Sequence, residues 1–408
     1  MPYHPRALEK TIAAAAREFP ALLLTGPRQS GKTTLLRHLA GPERSYASLD
    51  DPILRSLANE DPRLFLERYD PPVLIDEIQY APGLLPYLKL AIDADRKAGA
   101  FWLTGSQQFQ MMKGVTETLA GRVCILGLLG FSQRESARTG VDVEPFLPAR
   151  EVLEGRPIVP TESSAAIFER MWRGSFPGLI AEQKEEHALF MGSYLQTYLE
   201  RDVRDLSQVR DLDTFTVFVR ACAARSAQLL NLSELARDVD IGIKTAKSWL
   251  SVLRASFQIH LLQPYHSNLT KRLVKTPKLY FLDTGLMAYL TDWLSPAALA
   301  SGAMAGPAFE TFVVSEILKS WWHRGWNRPP LYFYRDRDKR EIDLIFDVDG
   351  KLYPVEIKRA ATVRREWTAA FVALERLGKP IGEGAVVCLA QEAVPIDRGV
   401  TAVPVGLV

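Results

Sequence analysis

Gly26-Pro27-Arg28-Gln29-Ser30-Gly31-Lys32-Thr33 has the spacing of a phosphate-binding P-loop. It stands between an apolar run at residues 21–24 and a stretch of helical periodicity at residues 32–39. Small residues let successive backbone N–H groups turn inward on phosphate oxygens, and the helix that follows adds the positive end of its dipole. Lys32 is expected to reach the β and γ phosphates, and Thr33 to offer Mg²⁺ a hard hydroxyl oxygen. With Thr34 these residues form the expected nucleotide cradle, for which ATP and Mg²⁺ are the cofactors.

Downstream, Pro72-Val73-Leu74-Ile75-Asp76-Glu77 is an apolar run ending in two carboxylates, the pattern of a buried parallel strand whose C-terminal end meets a ligand crevice. Asp76 is read as the residue on the magnesium side, and Glu77 as the group that orients and activates the attacking water. The plainer reading is a core strand closed by a solvated acidic turn. Further short apolar runs at residues 46–49, 101–104 and 123–128 alternate with helical spacing, which argues for a parallel sheet covered on both faces. Ser106, in Leu103-Thr104-Gly105-Ser106, falls where a side chain could sense the γ-phosphate or simply cap a helix. Arg122 and Arg201 are candidates for the guanidinium that phosphoryl transfer uses; each also reads as a surface ion pair.

The chain has 408 residues, 47% hydrophobic and 24% charged, with a net charge of +2. That is globular material for more than one core, and its charge does not by itself argue for nucleic acid. Cys124, Cys222 and Cys388 are isolated and read as reduced core residues. There is no apolar leader and no run long enough to span a bilayer, so a cytoplasmic protein with no membrane partner is expected. Residues 137–165, rich in Pro, Gly and Glu, read as a long connection.

Residues 230–282 carry a helix-turn-helix pattern. Leu232, Leu235, Ala236 and Val239 mark one apolar face, with Ser233 as N-cap; Ile243, Ala246, Leu250, Leu253 and Phe257 mark the next. Lys244, Lys247 and Arg254 lie off that second face. The strand-like runs at residues 259–262 and 278–282 flank a basic loop with Lys271, Arg272 and Lys275. This is similar to a winged helix, and its basic residues suit phosphate contact, although the same unit also serves for protein docking.

Near the C-terminal end, residues 341–347 and 351–358 alternate on either side of Asp349-Gly350 and predict a β-hairpin with a type I′ turn. That register sets Asp343 opposite Glu356 and Glu341 opposite Lys358. It also places Ile342, Leu344 and Phe346 together on one apolar face. Opposed carboxylates at sheet spacing can share a divalent ion, and Glu310, on the apolar face of an upstream helix, could join them. The predicted metal set is Glu310, Asp343 and Glu356, with Lys358 placed to position water or stabilise charge on a scissile phosphate. A salt-bridged, solvated hairpin face is the alternative.

Taken together, the P-loop, residues 73–77, 103–106, 119–122 (Leu-Ala-Gly-Arg), 173–177 (Arg-Gly-Ser-Phe-Pro), 198–202, 280–286 and 341–358 resemble the prokaryotic AAA+-like predicted ATPases. In that group a C-terminal domain of uncharacterised function is similar to restriction-endonuclease-like PD-(D/E)xK nucleases. The resemblance implies an α/β fold: a P-loop NTPase (AAA+-like) parallel-sheet core at residues 1–135, an insertion and helical lid region at 136–228, a winged helix-turn-helix at 229–285, and a restriction-endonuclease-like α/β domain at 286–408. In such nucleases an aspartate is followed by an acid-x-lysine string, here Asp343 and Glu356-Ile357-Lys358; the usual proline before the aspartate is Ile342. An ATPase acting on nucleic acid, DNA before RNA, is the expected function, with a metal-dependent nuclease attached. A nucleotide-gated protein-interaction switch with an inert nuclease-like domain is the alternative. The resemblance also admits a homo-oligomer in which a neighbour's arginine completes the ATPase site.

Overall fold

The computed structural model describes residues 3–105, 118–160, 163–182, 186–198, 203, 211–266, 276–336 and 338–408. Five strands, β1 (Ala21–Thr25), β2 (Ser45–Ser48), β3 (Val73–Asp76), β4 (Phe101–Gly105) and β5 (Val123–Gly127), form a parallel sheet in the order β2-β3-β4-β1-β5. Leu22 and Leu24 pack with Leu74 and Trp102 on one face, while Ala21 and Leu23 pack with Ile75 and Leu103 on the other. Burial on both faces explains why these strands read as unbroken apolar runs rather than alternating ones. The P-loop leaves the C-terminal end of β1 and enters the helix Lys32–Leu39. Gly26 (φ +151°) has no room for a side chain, since a Cβ would stand 2.0 Å from the Leu128 carbonyl oxygen. Gly31, at φ 88°, supplies the left-handed turn into the helix.

A second, smaller unit follows the helix Leu212–Ala223. Strand β6 (Gln228–Leu229), the helices Leu232–Asp238 and Ile243–Ala255, and strands β7 (Ile259–Leu262) and β8 (Lys278–Phe281) form it, the strands pairing antiparallel in the order β6-β8-β7. The first helix is capped by Asn231, whose side chain accepts the Glu234 N–H, and not by Ser233. Ile243 is 54% exposed, and the buried face of the second helix is Ala246, Trp249, Leu250 and Leu253. Lys271, Arg272 and Lys275 lie outside the described residues.

The last unit is a six-stranded mixed sheet of β9 (Leu331–Arg335), β10 (Glu341–Val348), β11 (Lys351–Lys358), β12 (Gly384–Cys388), β13 (Val394–Asp397) and β14 (Val400–Pro404), ordered β13-β14-β12-β11-β10-β9. The helix Ala305–Trp322 packs across it. The hairpin turns at Asp349 (φ 49°) and Gly350 (φ 76°), both left-handed as a type I′ turn requires. Pairing runs from Val348 opposite Lys351 to Leu344 opposite Val355. A register shift between Ile342 and Ile345 against β9 breaks the alternation, so Ile342 packs with Ile345 and not with Leu344 and Phe346 as the strict period implied.

The segment leaving β5 stitches these units together. Glu135, the third residue of the short helix Gln133–Ala137, completes a capping box with Ser132. It also accepts from Arg6 Nε (3.0 Å) and the Ala7 N–H (2.9 Å), and lies 3.3 Å from His323 Nδ1. Arg134 donates to the Leu407 and Val408 carbonyls at 2.7 and 3.0 Å. The weakly periodic stretch at residues 137–165 is no loose connection in its described part. Phe146 and Val159 are fully buried, and Arg156 donates to Leu407. Such anchors are single residues and carry no period. Among the described residues no helix is long and apolar enough to cross a membrane.

Glu135→Ala would strand the Arg6 guanidinium, 4% exposed, without its carboxylate. Breaking one partner of such a pair costs about 3–5 kcal/mol. Urea unfolding should show a loss of that size, whereas a change below about 1 kcal/mol would mean the pair is not a structural hub.

Candidate functional site

Strand order places β4 between β1 and β3, and this brings three side chains together. Thr33, at the start of the P-loop helix, donates to both carboxylate oxygens of Asp76 at 2.8 and 3.1 Å. Thr104, fully buried on β4, donates to Asp76 Oδ1 and accepts the Glu77 N–H at 3.0 Å. Tyr46 on β2 adds a hydrogen bond to Asp76 Oδ2 at 3.1 Å. Lys32, 6% exposed, folds back to donate to the carbonyls of Gly26 (3.1 Å) and Pro27 (2.8 Å). Glu77 sits just past β3 in the left-handed region (φ 58°, ψ 48°), a conformation costing a non-glycine residue of the order of 1 kcal/mol, and takes a hydrogen bond from Gln79. Strain of this kind collects where a side chain must be aimed.

Arg28, Gln29, Lys32, Thr33, Glu77 and Thr197 surround a cavity of about 370 Å³ over the P-loop. On the other flank of the P-loop helix lies a second cavity of about 550 Å³, bordered by Tyr3, His4, Thr34, His38, Phe131 and Pro177. There Tyr3 and His38 stack with ring centroids 3.6 Å apart. Arg6 donates to the Ser30 carbonyl at 2.9 Å, fixing the loop between the two cavities. The sequence reading included Thr104 only within the polar cluster at residues 101–106 and passed over Tyr46, Tyr3 and Arg6. Thr104 was within reach, being the polar end of an apolar strand beside the one that carries Asp76; the others come from segments without a motif.

The arginine candidates part company. Arg122 precedes β5, and its carbonyl accepts the Ala21 N–H at the start of β1. That is the opposite end of the sheet from the P-loop, four residue steps and so about 13 Å away along the strand. Its guanidinium makes a two-pronged ion pair with Asp93 at 2.6 and 3.0 Å. A role at the γ-phosphate of its own chain is ruled out by that position. Arg201 and Ser106 lie outside the described residues.

The carboxylate centre differs from the expected arrangement. The β10–β11 ladder keeps the expected register only as far as Leu344 opposite Val355; one step beyond, Asp343 Oδ2 accepts the Ile357 N–H at 2.9 Å. Glu341 pairs with Arg335 on β9 and lies beyond the end of the ladder with β11, so the expected rung with Lys358 is not formed. Lys278, from β8, enters the centre with its ammonium 2.6 Å from Glu341, 3.1 Å from Glu310 and 3.6 Å from Asp343. Tyr280 donates to Glu310 at 2.6 Å, and Lys358 to Glu356. The three acids do not fit a shared divalent ion, because an ammonium already stands at the corner where Glu310 and Asp343 meet. Among the described residues no group of three His, Cys, Asp or Glu is placed to hold a metal.

Burial, then the charge of Asp343, pushes the Glu310 carboxyl up to about 7 and that of Glu356 up to about 8. A raised carboxyl favours the folded state when protonated. The stabilisation is therefore full below the unfolded value near 4.5 and is lost as pH rises through about 7 to 8. Glu356→Gln should flatten the fall in melting temperature between pH 5 and 8.5; an unchanged slope would show that Glu356 is not shifted.

A family model described as an AAA domain matches residues 18–137. Two further models, domains of unknown function DUF8612 and DUF4143, match residues 164–297 and 305–408. An uncharacterized protein of Mycobacterium tuberculosis and one of Mycobacterium bovis are each 30% identical over 399 residues, covering 96% of this chain and 82% of theirs. Among solved structures, a Walker-type ATPase of Pyrococcus abyssi is 15% identical, covers 69% of this chain and 94% of its own, and has a TM-score of 0.43. A RuvB structure from Thermotoga maritima is 18% identical, with coverages of 62% and 88% and a TM-score of 0.28. The AAA match falls on the sheet and P-loop described above, which form an AAA-type ATPase domain that binds and hydrolyses ATP. Matched along nearly its whole length, the chain, in which an AAA domain is followed by two domains of unknown function, belongs to the family of these mycobacterial proteins.

Proposed function

We propose that this protein is a Mg²⁺-dependent ATPase that acts on nucleic acid. The observation that carries the ATPase reading is the Thr33, Asp76, Thr104 and Glu77 constellation at the mouth of the P-loop cavity. The hydroxyl of Thr33 and the carboxylate of Asp76 are hard oxygen donors already within 2.8 Å of one another, the donor set that Mg²⁺ takes in such sites. Mg²⁺, when bound, would neutralise charge on the β and γ phosphates. Lys32 exchanges the carbonyls of Gly26 and Pro27 for phosphate oxygens. Thr104 holds Asp76 and the Glu77 backbone in fixed relation, so that the Glu77 carboxylate can orient water and take its proton. The cavity holding the Tyr3 and His38 rings is apolar enough on one side to take the base.

The smaller unit has the element order and sheet of a winged helix, which supports the nucleic-acid reading. Lys244, Lys247 and Arg254 are exposed and, at i, i+3 and i+10, share one stripe of the helix Ile243–Ala255. A protein partner on the same stripe is the second reading, favoured by the exposed Ile243 at the head of that helix.

Lys32→Ala should abolish ATP hydrolysis in a phosphate-release assay, and an unchanged rate would remove the P-loop assignment. Glu77→Gln should retain bound ATP while turnover falls by roughly 10² or more; rapid turnover would exclude Glu77 as the base. Lys244→Glu with Lys247→Glu should weaken binding of a labelled DNA duplex and lessen its salt dependence. DNA affinity equal to that of the wild type would favour the protein-partner reading.

A further inference from the structure

We propose that Lys278 is the resident cation of the carboxylate centre, making what resembles a metal site into a metal-independent joint between the three-stranded unit and the C-terminal domain. Three carboxylates from two elements converge on one ammonium: Glu310 from the helix Ala305–Trp322, and Glu341 and Asp343 from β10 at its register shift. An ammonium has three N–H donors and no acceptor, so three acids are what it can satisfy. The side chain is 4% exposed. A lysine so buried requires compensating charge, and here it has it.

Most of the carboxylate oxygens already have partners. Glu310 Oε1 is shared between Lys278 and Tyr280. Asp343 Oδ1 faces Lys278 and its Oδ2 takes the Ile357 N–H. Glu356 Oε1 accepts from Lys358, which leaves Glu356 Oε2 as the buried oxygen of the centre without a partner. Glu310, Glu341 and Asp343 are all engaged with Lys278, so a divalent ion would have to displace the ammonium before it could gather their carboxylates.

Nor is Lys278 placed to swing aside. It begins β8, the middle strand of its sheet, and pairs with Leu229 on one side and Leu262 on the other. Leu279, Tyr280 and Phe281 beyond it are fully buried, and β8 packs against the same helix that carries Glu310. The side chain itself is 4% exposed, with its ammonium 5.8 Å from the centroid of the Phe333 ring. The arrangement is that of a joint and not of a gate, and it is independent of the nucleotide site.

The test is calorimetric titration of the full-length, nucleotide-free protein with MnCl₂, with thermal melting alongside. The wild type should show no Mn²⁺ binding that Asp343→Asn or Glu356→Gln abolishes. Lys278→Gln should melt at lower temperature, gain one Mn²⁺ site at least about tenfold tighter than any in the wild type, and recover its melting temperature when Mn²⁺ is added. The gained site should disappear in the double variant Lys278→Gln/Asp343→Asn. If Lys278→Gln does not fold without metal, folding restored by Mn²⁺ supports the proposal, and failure to fold in Mn²⁺ counts against it. Lys278→Arg should keep the charge and bind no Mn²⁺. Binding in the wild type that Asp343→Asn removes would overturn the proposal, as would a Lys278→Gln protein with unchanged melting and no new site.

Discussion

The buried ion pair between Arg6 and Glu135 is the constraint on which the arrangement of this molecule rests. Burial on its own would raise the pKa of the Glu135 carboxyl, but the Arg6 guanidinium, His323 and the Ser132 N–H hold it well below the usual carboxylate range. The same guanidinium reaches the carbonyls of Ser30 and Leu129. One carboxylate thus ties the P-loop, the segment leaving β5 and, through His323, the long helix of the C-terminal domain. His323 is kept neutral by burial, accepting the Leu129 N–H at Nε2 while its Nδ1 faces Glu135. Two neighbours repeat the pattern: Glu316 accepts the Gln133 N–H, and Lys319 donates to the Phe131 carbonyl.

This polar seam joins the P-loop to the C-terminal domain. The loop that would meet phosphate is braced by Arg6, and the strip at residues 129–135 is fastened to the helix Ala305–Trp322 by hydrogen bonds that lie out of water and are strong for that reason. Pro177 lies 3.8 Å from where a Gly31 Cβ would stand. The Gly174 and Ser175 turn before it closes on Asp283, which caps the helix Thr284–Leu290. The strings at residues 173–177 and 280–286, which have no chemistry of their own, are the two halves of that contact.

The carboxylate centre shows how a motif and its surroundings can disagree. Asp343 and Glu356-Ile357-Lys358 stand in the spacing of a nuclease, and a linear reading has no means of seeing Lys278, 65 residues before Asp343 and in another unit. A single lysine delivered by β8 changes what those acids can bind. Nothing in its sequence neighbourhood, Pro277-Lys278-Leu279-Tyr280, distinguishes it from a surface lysine at the edge of a strand.

Local chemistry was legible wherever the backbone itself does the work. The P-loop needs glycine at positions of positive φ, the strands of the ATPase sheet are apolar on both faces, and the Asp349-Gly350 turn requires left-handed residues, so each of these can be read from spacing alone. What tertiary structure decided was which distant side chains share a cavity. Strand order put Thr104 beside Asp76, and Arg122, placed just before β5, sits at the far end of the sheet. A one-residue irregularity in β10 moved Ile342 to another cluster, and the ammonium of Lys278 closed the carboxylate centre. Periodicity reports the face a residue turns to its own neighbours in sequence; which element from elsewhere meets that face depends on the packing of the whole chain.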